Sequence, residues 1–113
     1  MPKHIGIAAV SPEGSAECYR RLHRRAEDLV GEAGHPVITV HNEPFERYLH
    51  ATQTDDWQAV GSLLLKSARV LAAAGAEFVF TPDNAIQHGV HYAAASSPIP
   101  WLMMTDLVGD AVC

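Results

Sequence analysis

Thr81-Pro82-Asp83-Asn84 is the stretch of this chain best placed for chemistry. It follows the apolar run Phe78-Val79-Phe80, which has the β-branched and aromatic character of a strand buried on both faces. Pro82 cannot continue a central strand, so the strand is expected to stop near Thr81. Asp83 and Asn84 then stand at its carboxyl end, beside a helix N-terminus. Open α/β sheets bind ligands in that crevice, where backbone N–H groups favour a carboxylate or phosphate. Asp83 has two readings. It is a base if partial burial raises its pKa toward neutral, and a helix N-cap with a lowered pKa if it accepts backbone N–H bonds.

Two further polar connections follow strands. Ser11-Pro12-Glu13-Gly14-Ser15 can bring backbone close to a ligand, but it is no GxGxxG fingerprint, and no Walker sequence occurs. The segment from Asn42 to Thr54 carries Arg47 and is expected to be a lid or substrate loop. Ser11, Asn84 and Arg47 are therefore expected around one pocket. His41 ends a strand near it and reads as hydrogen-bonding scaffold. His88 and His91 share a helix face without an evident third ligand, so no metal is expected. Cys18 and Cys113 offer neither a disulfide framework nor metal-ligand spacing, and Cys18 reads as a buried packing residue.

The elements that must position these groups alternate. Strands are expected near 4–10, 36–41, 77–81 and 101–104. Helices are expected near 15–33, 57–74 and 86–95, the first with Ala16, Tyr19, Leu22, Ala26, Leu29 and Val30 on its apolar stripe. Thr54 or Asp55 can cap the second helix, and Gly75 ends it. This β-α alternation implies one α/β domain over 1–113, a four-stranded parallel sheet with flanking helices in the flavodoxin-like order 2-1-3-4.

Composition excludes other classes. The 113 residues are 48% hydrophobic and 19% charged, as in an ordinary globular domain. A net charge of −5 argues against nucleic acid as partner. No apolar run approaches the ~20 residues of a membrane span. Met1-Pro2-Lys3-His4 leads into a strand without a signal-peptide core, so a cytoplasmic location is expected.

Several stretches in order resemble the aspartate/glutamate racemase family. They are Ile5-Gly6-Ile7, Pro12-Glu13-Gly14-Ser15-Ala16-Glu17 with Tyr19-Arg20, Trp57 opening a helix, Gly75-Ala76-Glu77, Pro82-Asp83-Asn84, and Pro100-Trp101-Leu102. The resemblance implies a PLP-independent amino-acid isomerase with no cofactor, acting on a small amino or dicarboxylic acid. In that family two α/β domains face each other and each supplies a cysteine, one removing the α-proton and one delivering a proton to the opposite face. Asn84 matches the family's substrate-binding asparagine, and Ala85 stands where a threonine usually follows it. The first cysteine belongs at or beside the positions held here by Thr81, Pro82 and Asp83, none of which is a thiol. Thr81 and Asp83 are the remaining catalytic candidates; Ser11, Arg47, Asn84 and Ala85 are the substrate-binding ones. A C-terminal domain or a homodimer would have to complete the site. The alternative is a catalytically silent carboxylate-binding or assembly module.

Overall fold

The computed structural model describes residues 4–30, 37–82 and 86–101. The central strand β1 (Ile5–Ala9) is apolar and buried through Gly6, Ile7, Ala8 and Ala9. It pairs in parallel with β2 (Ile38–Asn42) on one side and β3 (Phe78–Phe80) on the other, giving the order β2-β1-β3. Ile5 is the common register point, opposite both Ile38 and Phe78.

Alternation along the strands builds two cores. Ala8, Val10 and Val79 join Val60, Leu64, Leu71, Ile86 and Val90 in the larger one. That face is covered by α3 (Trp57–Ala73) and α4 (Gln87–Ala94). Ile7 and Phe80 point the other way, onto Cys18 and Leu22 of α1 (Pro12–Val30). Helices thus cover both faces, as a parallel sheet requires.

Local chemistry sets the ends of α3. Asp56, rather than Thr54 or Asp55, is its N-cap, with its carboxylate accepting the Ala59 N–H at 3.1 Å. Asp55 takes a left-handed φ of 56° and accepts the Trp57 indole N–H at 2.7 Å instead. At the other end Gly75 has φ 105°, which suits a residue without Cβ. Gly75 N–H bonds Ala72 O and Ala76 N–H bonds Leu71 O, a Schellman closure. Where α3 crosses α4, a Cβ at Gly89 would stand 2.4 Å from Val60 Cγ1, so the two helices touch backbone to side chain.

Three expectations are corrected. The described sheet has three strands, not four. The expected strand at 101–104 is represented by one parallel bridge, Trp101 to Val79, with Val79 N–H bonding Pro100 O at 2.9 Å. Pro98 and Pro100 carry no N–H, and β3 offers only three residues to pair with; positions 102–104 lie outside the described residues. The Asn42–Thr54 loop is in fact mostly a helix, α2 (Phe45–Gln53), which buries Tyr48 and Ala51. Pro44, with φ −54°, precedes it and pre-sets the backbone rather than breaking it. Finally, α1 buries Ser15 and Cys18 with Leu22 beside them, while Ala16 and Tyr19 are exposed, because small side chains let the helix lie close to β1.

Candidate functional site at the carboxyl edge of the sheet

Parallel pairing brings the carboxyl ends of all three strands to one edge. Ser11 follows β1, Glu43 follows β2 and Thr81 follows β3. Ser11 caps α1: its carbonyl accepts Ser15 N–H at 3.0 Å and its hydroxyl accepts Gly14 N–H at 3.4 Å. Thr81 is buried at 1% exposure at the end of β3. Asp83, Asn84 and Ala85 lie outside the described residues, so neither reading of Asp83 gains a geometry here.

A cavity of about 320 Å³ opens between the end of β1 and α2, lined by Val10, Phe45, Tyr48, Leu49, Trp57 and Ile86 among others. Val10 immediately precedes Ser11, and Ile86 immediately follows the 83–85 stretch. The wall is predominantly apolar, with Thr52 as a polar lining residue. Phe45 and Leu49 are exposed at 38% and 44%, which leaves an apolar rim. Arg47 is not among the residues lining this cavity. It projects from the opposite side of α2 into a cleft of about 620 Å³ against α3, shared with His50, Thr54 and Ser62.

Arg47 belongs to a cluster that the sequence did not announce. Glu43 is buried, and its Oε2 lies 2.6 Å from His41 Nε2. Its Oε1 faces Lys66 Nζ at 3.5 Å and an Arg47 guanidinium nitrogen at 3.8 Å. The hydrogen bond from His41 holds the Glu43 carboxyl below the usual range, against the opposing effect of burial; Lys66 adds to the lowering. The neighbouring Asn42 amide donates to Ala9 O, Val10 O and Glu43 O, locking the ends of β1 and β2 together. His41 and Glu43, two residues apart on an extended chain, share the α3 face. That spacing is a legible signal; Lys66 has none, since only the fold brings it there.

Cys18 is buried against Ile7 and Phe80 and offers no free thiol. Its burial is the packing role expected for it. Among the described residues no group of three or more His, Cys, Asp or Glu side chains could hold a metal. None of the described helices is long and apolar enough to cross a membrane.

The sequence profile of Asp/Glu/Hydantoin racemases matches residues 7–113. The chain belongs to the Asp/Glu/Hydantoin racemase family. Its fold is that of a candidate Asp/Glu racemase from Yersinia pestis, with a TM-score of 0.87 at 22% identity, over 97% of this chain and 48% of that one. An aspartate racemase homologue from Pyrococcus horikoshii gives a TM-score of 0.85 at 19% identity, again over 97% and 48%. The chain therefore spans about half the length of both structures. No curated protein matches the sequence. The carboxyl edge of the sheet carries Thr81 and Pro82 after β3, and Ser11 follows Val10 of the Val10–Ile86 cavity.

Proposed function

We propose that this chain supplies one α/β half of a PLP-independent amino-acid isomerase site for a small amino or dicarboxylic acid. The observation that carries the reading is the cavity bounded by Val10 and Ile86, at the carboxyl end of β1 and next in sequence to Ser11. Its apolar wall suits the hydrocarbon part of such a ligand. The α1 N-terminus at Ser11 and the Asn84 corner suit its carboxylate. By sequence position, Thr81 and Asp83 are the acid/base candidates, and Ala85 is a further substrate-binding candidate next to Asn84.

Racemisation needs a proton acceptor and a proton donor on opposite faces of one carbon. Thr81 is a hydroxyl and Asp83 serves one face at most, so the opposite face must come from a further domain or a partner copy. The chain alone is therefore a binding half, inactive as a racemase. The exposed Phe45 and Leu49 at the cavity rim also favour the second reading, a carboxylate-binding module that works through assembly.

NMR titration of the isotope-labelled chain with L-aspartate and L-glutamate tests the placement. Perturbations centred on Val10, Ser11, Thr81 and Ile86 are expected. Perturbations confined to the α1–β2 flank, around Tyr19 and Val40, would contradict it.

A further inference from the structure

Ser15 lies in the first turn of α1 and is 4% exposed, yet its hydroxyl has no hydrogen-bond partner among the described residues. Native interiors pair nearly all of their polar groups, so such an orphan calls for an explanation. This hydroxyl belongs to a residue lining a groove of about 420 Å³ between α1 and β2. Buried Ala9 and Ser15 form the floor, and the exposed Tyr19 and Val40 form the sides. The groove lies on the α1 face of the sheet. Ala9 alternates with Val10, which joins the core beneath α3 and α4, so the groove is separate from the Val10–Ile86 cavity.

Its walls are fixed and its charge is of one sign. The Asn42 amide donates to Ala9 O, Val10 O and Glu43 O. The Tyr19 ring meets the His23 ring edge-on, with centroids 4.5 Å apart. Among the described lining residues Arg20 is the one charged side chain. Its guanidinium stands 3.7 Å from the Glu17 carboxylate, which Arg21 hydrogen-bonds at 3.1 Å. Arg24 acts on the same carboxylate. Three guanidiniums around one carboxylate leave a local positive excess, and Arg20 keeps donors for an incoming anion. The rest of the lining is mostly apolar, from Ala9, Pro12, Ala16 and Val40.

We propose that the α1–β2 groove binds a small aromatic carboxylate that carries a second hydrogen-bonding group across its ring. The ring rests on Ala9, Ala16 and Val40 beside Tyr19. The carboxylate meets Arg20, and the distal group pairs with the Ser15 hydroxyl. Ser15 and Arg20 are five residues apart on one helix, about 7.5 Å along its axis, a span that a single ring bridges. L-Aspartate and L-glutamate bring no comparable apolar body to this wall. The site is therefore independent of the isomerase reading.

The probes are 4-hydroxybenzoate and benzoate, titrated separately into the isotope-labelled full chain at constant ionic strength. Amide signals of Ala16, Tyr19, Arg20 and Val40 are expected to move with both, while those of Tyr48 and Ile86 stay. The hydroxylated probe should bind about fivefold more tightly, the worth of one neutral hydrogen bond. S15A should abolish that preference while leaving benzoate affinity unchanged, and the retained benzoate binding reports an intact groove. Arg20 is exposed, and R20M should weaken both probes by about tenfold, the loss of a charge-assisted hydrogen bond. A preference for 4-hydroxybenzoate that survives in S15A overturns the proposal. So does unchanged affinity in R20M, or the absence of any response at the α1–β2 groove. Failure of the isomerase reading would look different, because it concerns L-aspartate and L-glutamate at the Val10–Ile86 cavity.

Discussion

His41 Nε2 lies 2.6 Å from Glu43 Oε2, and the carboxylate it touches is buried at 7% exposure. An extended backbone puts residues i and i+2 on the same face, so the end of β2 carries its own ion-pair partner for α3 and α2 to meet. The edge strand is thereby fastened to the helices at the end where a ligand would sit.

Acid should loosen this fastening. Glu43 has a folded pKa below its unfolded value, so its contribution is fully present above the ordinary glutamate value of about 4.3. It is lost as pH falls through the lower, folded value. Urea denaturation of the wild type and E43Q at pH 7, 5 and 3 measures this. The wild-type advantage should persist at pH 7 and 5 and shrink at pH 3. An advantage independent of pH would show that the charge of Glu43 does not contribute.

Gly89 should be intolerant of a side chain. An added Cβ would meet Val60 Cγ1 at 2.4 Å and Val60 Cβ at 3.0 Å, and Val60 is fully buried. G89A should destabilise the chain by about 1–3 kcal/mol through overpacking, despite alanine's better helix propensity. Because α4 begins immediately after Ile86, displacement of the helix should also disturb the cavity. Thermal melting checks the first effect. The double variant V60A/G89A should recover part of the overpacking loss, and a stable G89A would show that the α3–α4 crossing is looser than described.

Much of this architecture is legible in the sequence, for specific reasons. Ile5–Ala9 and Phe78–Phe80 are buried on both faces and so read as continuous apolar runs. Gly75 announces the end of α3 because its left-handed turn has little alternative. The helix α2 was readable from Phe45, Tyr48, Leu49 and Thr52 at spacings of three and four, but the preceding Pro44 and polar surroundings resemble a loop. The buried face of α1 is not legible from its apolar stripe because Ser15 and Cys18, not the larger Tyr19, fit against the strand. The Glu43–Lys66 contact joins positions far apart in the chain, and no local pattern encodes it.

Introducing a thiol should not create a racemase. Thr81 is 1% exposed, so a cysteine there would be buried and its thiolate disfavoured. P82C introduces a thiol next to Thr81 but supplies only one face of the α-carbon. Chiral chromatography after prolonged incubation of T81C or P82C with L-aspartate should detect no D-aspartate above the uncatalysed level. Formation of D-aspartate by either variant would mean that this chain already holds the second acid/base group.

The central claim is that the chain is one half of an isomerase site and lacks the opposite-face group. Incubating the wild-type chain with L-aspartate and L-glutamate in deuterium oxide, followed by mass spectrometry and chiral chromatography, tests it most directly. The account predicts no D-enantiomer; any solvent deuterium at the α-carbon should appear with retained configuration, as expected of a single base at Asp83. Sustained accumulation of deuterated D-aspartate or D-glutamate would contradict it.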